Sequence, residues 1–325
     1  MLVCLGPNPA VDRTALVEAL EPKEILRPIE VVVLPGGKAL CAARAARALG
    51  AGVGVGLIVG GHAGRWLVEA SEREGLGPLA VESGVETRTT YVVVDRRARQ
   101  IAVYEPSAAV SPAVFEAFLG MVASRLLPTA SWVIAAGSLP TGIAPDGFGA
   151  IVEECRRAGR PCLVDTSGDA LRVAVAARPT VVKVSLPEAE AAGFGGSARE
   201  AAEAIAAAGA ALAVVTDGER GAVATDGRRL WRVVPPRIRV VCAIGSGDAF
   251  AAGLVVALSR GRAVEEALAW GAAAGAANAL TLGAGRLALA DHEAQLGRVR
   301  VTELPSWRTV ARAGQRGARS EDQGG

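Results

Sequence analysis

The sequence predicts an α/β protein in which helices cover both faces of a mostly parallel β-sheet. After residue 130, short apolar segments typical of strands alternate with segments typical of helices. This alternation indicates parallel strands, because each needs a long crossover connection to the next. A pair of strand-like segments within residues 86–104 lies outside the alternation, and it predicts a second, smaller sheet.

The first half of the chain begins with a strand at residues 1–5, followed by a β-branched strand at 30–34. We expect a helix at 39–49, because Gly50 then supplies a typical helix stop. Residues 53–59 alternate glycine and valine, which favours a strand over a dinucleotide-binding glycine motif.

The second half supplies the regular alternation. Strands are predicted at residues 132–136, 162–165, 181–184 and 212–216, with helices at 146–158, 169–177 and 198–208. A strand-like run at 230–241, broken by two prolines, then leads through a glycine loop into an apolar helix at 251–258 that ends near Gly261.

Composition narrows the possible functions. The 325 residues are 51% hydrophobic, enough for one large core, and the net charge is +2 without a basic stripe, so we expect no nucleic-acid partner. Residues 267–285 carry no charge, but they are mostly alanine and glycine and predict a buried helix, so no membrane association is expected.

The cysteines and histidines indicate a reduced compartment and weaken histidine-based chemistry. The five cysteines form no C-x-x-C pair, and we expect a cytoplasmic protein. The N-terminal segment is typical of a strand rather than a signal peptide. Only two histidines are present, which argues against a histidine triad or a histidine-rich metal site.

The central motif is Gly245-Ser246-Gly247-Asp248, between the strand-like run and the apolar helix. Glycines let successive backbone N–H groups converge, and a helix N-terminus adds free N–H groups, so this junction suits an anion such as phosphate. The alternative is a tight turn in which Asp248 caps the helix. The motif alone supports both interpretations equally.

This motif resembles the C-terminal G-x-G-D signature of the ribokinase-like (PfkB) carbohydrate kinases. The resemblance implies that Asp248 is the base acting on a sugar hydroxyl. It also implies that the anion loop, formed by Ile244, Gly245, Ser246 and Gly247, holds the γ-phosphate of ATP.

The same resemblance implies the architecture of the whole chain. It would be a ribokinase-like three-layer α/β/α sandwich whose small β-sheet lid is formed by residues 12–34 and 86–105. We expect the kinase domain to span residues 1–304 and residues 305–325, rich in Arg, Gly and Ser, to be a disordered tail.

Two N-terminal segments are similar to the sugar-binding motifs of the family. Asn8-Pro9-Ala10-Val11-Asp12 resembles the opening of its sugar-phosphate kinases, where the aspartate binds sugar hydroxyls; a turn with a solvated aspartate is the alternative. Gly36, Gly37 and Lys38 resemble the start of the G-G-K-G-x-N signature, which is not a Walker A loop. Here Ala39 replaces the next glycine, and Cys41 replaces the sugar-binding asparagine.

Arg88 matches an arginine that contacts the phosphate of the sugar in this branch, although a surface ion pair is the alternative. Ala102 stands where some members carry a second basic residue. Ser138, within Gly137–Pro140, resembles the sugar-side loop of the family, and Asp165 a matching carboxylate at a strand end.

The same resemblance implies which residues bind the nucleotide and the metal ion. Thr216, Gly218, Gly221 and Asn278 correspond to nucleotide-binding positions. Glu188 would orient Mg²⁺ through water, with Ser185 as a weak substitute for the asparagine of a K-x-N-x-x-E segment; the alternative is that Glu188 only favours the helix start.

The resemblance therefore implies an ATP- and Mg²⁺-dependent kinase of a sugar phosphate such as fructose 1-phosphate or tagatose 6-phosphate, and a homodimer formed through the lid. Two alternatives remain open. The changes at Cys41 and Ala102 favour a kinase of a free sugar or nucleoside. The changes at Cys41 and Ser185 favour a low-activity protein that binds a sugar phosphate.

Overall fold

The computed structural model describes residues 1–21 and 25–305. The strands are β1 (Leu2–Gly6), β2 (Ala10–Val17), β3 (Glu30–Gly36), β4 (Val53–Val59), β5 (Pro78–Glu82), β6 (Thr89–Asp95), β7 (Gln100–Tyr104), β8 (Trp132–Ala136), β9 (Cys162–Asp165), β10 (Val181–Ser185), β11 (Leu212–Thr216), β12 (Ala222–Thr225), β13 (Leu230–Val234) and β14 (Arg300–Leu304). The helices are α1 (Lys38–Ala48), α2 (Gly61–Arg73), α3 (Pro112–Met121), α4 (Gly147–Arg157), α5 (Gly168–Ala176), α6 (Leu186–Ala191), α7 (Ala198–Ala208), α8 (Ser246–Ser259), α9 (Val264–Ala279) and α10 (Leu289–Leu296). A π-helical turn (Val122–Leu126) and 3₁₀ turns (Leu127–Thr129 and Gly218–Arg220) complete the described chain.

The main sheet has ten strands in the order β14-β13-β12-β11-β10-β9-β8-β1-β4-β5. The strands from β11 to β5 pair in parallel, as the alternation predicted. At the other end, β12, β13 and β14 pair in antiparallel fashion. Because β14 pairs with a strand some 70 residues earlier in the chain, no local pattern predicted it.

Successive residues of β1 show how the sheet is covered on both faces. Leu2 and Cys4 belong to the apolar cluster beneath α1 and α8, whereas Val3 and Leu5 belong to the cluster beneath α3 and α4. All four are at most 2% exposed, because side chains alternate between the two faces of a strand. The predicted three-layer α/β/α arrangement is confirmed.

The second sheet is the lid, with the order β3-β2-β6-β7. Strand β2 pairs with β3 in antiparallel fashion and with β6 in parallel. The predicted lid segments are therefore strands of one small sheet, but β2 already starts at Ala10, two residues before the predicted segment. The predicted tail from residue 306 onward lies outside the described residues.

Helices α8 and α9 pack so closely that they need small residues. A Cβ atom on Gly253 would lie 2.7 Å from the carbonyl oxygen of Trp270, and one on Gly275 would lie 2.9 Å from that of Ser246. This contact fixes the start of α8, where Asp248 lies. None of the helices in the described part of the chain combines the length and apolarity needed to cross a membrane.

Candidate active site

The predicted site residues converge at one edge of the main sheet. Strands β9, β10 and β11 run in parallel and end at Asp165, Ser185 and Thr216. The carboxyl ends of parallel strands are where open α/β sheets bind their ligands. The start of α8 and one face of the lid lie at the same edge, and together they form the candidate active site.

The anion loop leads directly into α8. Gly245 is the N-cap residue and has a φ of 84°, a conformation that favours glycine. Asp248 lies in the first turn and makes no side-chain capping hydrogen bond. The interpretation of Asp248 as an ordinary N-cap is therefore wrong, because Gly245 occupies that position and leaves the carboxylate free for another task.

Asn278 supports the anion loop from below. Its side-chain amide donates to the carbonyl oxygen of Ile244 at 2.9 Å and to Oγ of Ser246 at 3.3 Å, and its Oδ1 accepts from the backbone N–H of Gly285 at 2.8 Å. Asn278 is 0% exposed. The structure thus shows that Asn278 positions the loop, and its predicted part in nucleotide binding stays a prediction.

Two lysines and two carboxylates form a network beside this loop. Lys38 Nζ donates to Asp165 Oδ1 and to Glu188 Oε1, each at 2.5 Å. Lys183 Nζ donates to Asp165 Oδ2 at 2.7 Å. A Cβ on Gly247 would lie 2.9 Å from the same Lys183 Nζ, so this ammonium group lies directly beneath the anion loop.

This network changes two sequence-based expectations. Lys38 was predicted within a sugar-binding segment, but its ammonium group is paired with Asp165 and Glu188. Lys183 was not predicted as a site residue, although its ammonium group lies beside Gly247 of the anion loop. A buried strand position is unusual for lysine, and this is the signal in the sequence that identifies it.

The carboxyl group of Asp248 has an unusual affinity for protons. Burial, and after it the negative charge of Asp165, raise its pKa from 3.8 to about 7, although Lys38 and Lys183 act in the opposite direction. A helix N-terminus by itself favours the ionised form of a carboxyl group, but desolvation and the neighbouring carboxylate outweigh the helix dipole here.

On the sugar side, Asp12 points from the lid into the site. Its Oδ1 accepts from Thr90 Oγ1 at 2.5 Å, and its Oδ2 accepts from the backbone N–H of Gly37 at 3.4 Å. A Cβ on Gly36 would overlap the Asp12 carboxyl group, which explains the glycine there. Burial raises the pKa of Asp12. The Cys41 thiol lies 3.9 Å from Asp12 Oδ2 and is buried.

A small polar cavity lies next to Asp12 and is lined by Asn8 and Arg88, among others. Asn8 Nδ2 donates to Ser138 Oγ at 2.9 Å, and Arg88 Nη2 donates to the backbone carbonyl of Asn8 at 3.3 Å. Arg88 Nε is buried and has no hydrogen-bond partner among the described residues. An unpaired buried donor is costly, so this cavity is suited to an anion.

The nucleotide side has a separate, larger cavity of about 430 Å³. It is lined by residues that include the predicted Thr216 and Gly218, together with Ser185. Gly221 ends the 3₁₀ turn beside it with a φ of 93°. A cavity of this size, at the end of β11, fits a small organic ligand such as a nucleotide.

Ser185 and Glu188 form the start of α6. Glu188 Oε2 accepts from the backbone N–H and from Oγ of Ser185, at 2.8 and 2.7 Å, which is a capping box. The sequence S-x-x-E is the signal for this motif. In the described residues, no three His, Cys, Asp or Glu side chains are grouped so that they could hold a metal ion.

The comparisons with known proteins agree with this geometry. The model of the pfkB family carbohydrate kinases matches residues 1–290. The chain belongs to this family. It is 31% identical to a 1-phosphofructokinase of Rhodobacter capsulatus over 78% of this chain and 82% of that protein. It is 30% identical to an ATP-dependent 6-phosphofructokinase isozyme 2 of Mycobacterium tuberculosis, over 87% of this chain and 85% of that one.

Among solved structures, the Escherichia coli phosphofructokinase-2 in complex with potassium superposes with a TM-score of 0.82. It is 26% identical and covers 92% of this chain and 98% of the other. This pfkB family member is thus a sugar-phosphate kinase that phosphorylates a hydroxyl group. The relatives do not support the alternative of a kinase for free sugars or nucleosides.

Proposed function

We propose that this pfkB family member transfers the γ-phosphate of ATP to a hydroxyl of a phosphorylated ketose such as fructose 1-phosphate or tagatose 6-phosphate. One observation carries the proposal: the buried carboxyl group of Asp248 lies in the first turn of α8, directly after the anion loop, and within Coulombic range of the sugar-side residue Asp12. A base in this position faces both the phosphate to be transferred and the hydroxyl that receives it.

Asp248 is the proposed base. With a pKa of about 7 it accepts a proton near neutral pH more readily than an ordinary aspartate. It removes the proton from the attacking hydroxyl, and the oxygen then attacks the γ-phosphorus in line with the leaving oxygen of ADP. The proton ends on the Asp248 carboxyl, and the phosphoryl group on the sugar oxygen.

The anion loop is the proposed binding site for the charge of the transferred phosphoryl group. The backbone N–H groups at the start of α8 are free of capping side chains, and the Lys183 ammonium lies beneath Gly247. These groups are in position before the substrate binds, because the hydrogen bond from Asn278 to Ile244 holds the loop. Preorganised donors of this kind stabilise charge at little reorganisation cost.

ATP and Mg²⁺ both fit the residues present. The cavity beside Thr216 and Gly218 takes the nucleoside part, and the glycine loop takes the phosphates. Mg²⁺ supplies charge neutralisation and normally binds phosphate oxygens and water. Two hydrogen bonds occupy Glu188 Oε2 and one occupies Oε1, so Glu188 retains room for one water of the ion, whereas Ser185 already serves as the helix cap.

Arg88 is the proposed recognition group for the existing phosphate of the sugar. Its Nε has no hydrogen-bond partner within residues 1–21 and 25–305, and its cavity is also lined by Asn8 and Ser107. An arginine binds phosphate through two parallel hydrogen bonds, which discriminates strongly against an uncharged substituent. The ammonium group of Lys38 is already paired with two carboxylates. The proposal that the substrate is a phosphorylated sugar therefore rests on Arg88.

We also propose that the enzyme is a homodimer formed through the outer face of its lid. Asp12 and Thr90 lie in register and face the site, so the opposite face carries the alternate residues. That face exposes Val31, Tyr91, Ile101 and Val103, each between 42 and 58%. Exposed apolar side chains grouped in this way, here around the exposed Arg13, are typical of an interface, and a structure of E. coli phosphofructokinase-2 is of a tetrameric form.

A substrate screen tests the proposed reaction. ADP formation is measured with ATP, Mg²⁺ and equal concentrations of fructose 1-phosphate, tagatose 6-phosphate, fructose 6-phosphate and free fructose. We expect one of the phosphorylated ketoses to give the highest kcat/KM. Faster turnover of free fructose would contradict the proposed substrate class. ADP formation that no sugar increases would support instead the alternative of a weak sugar-phosphate-binding protein.

A further inference from the structure

One aspartate holds both lysines of the site. Asp165, at the end of β9, accepts from Lys38 with one oxygen and from Lys183 with the other, at 2.5 and 2.7 Å. Its side chain is 1% exposed, and that of Lys183 is 3% exposed. Lys38 begins α1 and Lys183 lies on β10, so this carboxylate connects three elements beneath the anion loop.

We propose that Asp165 is a positioning residue for phosphoryl transfer, which holds the Lys183 ammonium against the anion loop and the Lys38 ammonium beside Glu188. The inference rests on the proposed function, because it assumes that the anion loop receives a phosphate. Asp165 itself does not touch the substrate in this account; it acts through the two lysines.

The reason is that a lysine side chain has many rotamers. An ammonium group that had to find its position during each turnover would lose much of its electrostatic benefit. Asp165 removes this freedom, since each of its oxygens holds one Nζ atom at hydrogen-bonding distance. A misplacement of about 1 Å in such a group costs on the order of 10²-fold in rate.

The same carboxylate also acts on Asp248. Its negative charge lies within Coulombic range and favours the protonated form of Asp248, whereas the two lysines oppose this effect. The titratable groups that interact with Asp248 come from several elements: Asp165 of β9, Lys38 and Cys41 of α1, Lys183 of β10, Asp12 of β2 and Tyr104 of β7. Removing Asp165 therefore changes the pH dependence as well as the rate.

Asp165→Asn tests the inference. We expect kcat to fall by about 10²-fold and the KM for ATP to rise, because the lysines are no longer held. The acidic limb of the kcat/KM profile should move by about one unit to lower pH, since a like charge near Asp248 is gone. Asp169→Asn is the matched control: this aspartate is exposed, four residues further along, and pairs with Arg172.

The Asp165→Glu variant separates the effect of the negative charge at residue 165 from the effect of the position of its carboxyl group. It keeps the negative charge but extends the carboxyl group by one methylene. We expect the acidic limb to stay within about half a unit of the wild-type position, because the charge is retained, while kcat falls and the KM for ATP rises. Melting curves and far-UV circular dichroism of every variant show whether it is folded.

The outcomes separate this inference from the proposed function. A wild-type protein without kinase activity would contradict the proposed function itself. An active wild type combined with an Asp165→Asn variant that behaves like Asp169→Asn would overturn only the inference. If both Asp165 variants fail to fold, Asp165 has a purely structural role and the inference is also wrong.

Discussion

At the scale of single residues, the site balances four carboxyl groups, those of Asp12, Asp165, Glu188 and Asp248, against two lysines. Asp165 is paired twice and fully buried, whereas Asp12 and Asp248 accept no salt bridge from either lysine. Burial therefore raises the pKa of both. A carboxyl group whose pKa is near 7 is suited to general base catalysis, because it accepts a proton easily and is still partly ionised at pH 7.

The pH dependence of the free enzyme follows from this. Only ionised Asp248 accepts a proton, and its pKa is about 7. We therefore expect kcat/KM for the sugar phosphate to rise with pH through about 7 and then level off. The profile is measured between about pH 5 and 9 at saturating Mg²⁺. An acidic limb near the ordinary aspartate value would show that Asp248 is not the titrating base.

Arg88→Ala should weaken the sugar phosphate selectively. A hydrogen bond between charged groups contributes about 1.5–3 kcal/mol, which corresponds to a rise in KM of about 10–100-fold. The KM for ATP should change little, because Arg88 lines the sugar-side cavity. Steady-state kinetics with each substrate varied in turn measures this. Arg65→Ala, an exposed arginine on α2, is the control; equal rises in both KM values for Arg88→Ala would contradict the assignment.

The sequence predicted the residues of the site that lie next to each other in the chain. The loop before Asp248 and the glycines before Lys38 are recognisable because several required residues are consecutive. The partners of Lys38 were not predictable, since Asp165 and Glu188 follow it by 127 and 150 residues. The ion-pair partners of a side chain depend on the order of the strands in the sheet. Local sequence patterns contain no information about that order.

At the scale of elements, the start of α8 determines the geometry of the site. Gly245 has a left-handed backbone, and a Cβ there would lie 2.7 Å from Cα of Ala284 and from the backbone nitrogen of Gly285. Asn278 connects the same two segments by hydrogen bonds. The loop is thus held between α8 and the chain that follows α9.

Gly245→Ala should therefore damage the loop in two ways, by backbone strain and by steric overlap. Strain alone costs about 1–2 kcal/mol, and the overlap displaces the anion loop, so kcat should fall by at least tenfold. Gly261→Ala is a matched control with a φ of 73° but no atom within 4 Å of the added Cβ. Thermal unfolding and kcat of both variants are compared. Equal losses of stability together with wild-type kcat in both variants would contradict this role of Gly245.

Element boundaries were predictable where hydrophobic periodicity and end signals agreed. The strands at 132–136, 162–165 and 212–216 were predicted without error. The run at 230–241 was predicted as one strand-like segment, but β13 ends at Val234 because Pro235 lacks a backbone N–H donor. Helix α8 begins earlier than predicted, at Ser246, since its first turn contains the glycines of the anion loop.

At the scale of the whole molecule, the lid joins two functions in one sheet. Its inner face supplies Asp12, and its outer face exposes large apolar side chains around Arg13. If that face binds a second subunit, substrate binding and dimerisation depend on the same four strands. Arg88 lies just before β6, so the phosphate-recognition residue is attached to the same sheet.

Ile101→Asp should dissociate the proposed dimer. Ile101 is 57% exposed, so the substitution leaves the monomer fold intact, but a carboxylate in an apolar interface remains unpaired. Sedimentation analysis should show a dimer for the wild type and a monomer for the variant. Leu289→Asp, on α10, is a matched control with 46% exposure and should remain dimeric. A monomeric wild type would refute the proposed interface.

The most direct test of the central claim is the turnover of Asp248→Asn. The amide keeps the shape but cannot accept the proton of the hydroxyl, so we expect kcat to fall by about 10²–10⁴-fold while both substrates still bind. The melting temperature should stay the same or rise, because a carboxyl whose pKa is raised on folding destabilises the folded state at pH values above its unfolded pKa. Near-wild-type kcat in this variant would show that Asp248 is not the catalytic base.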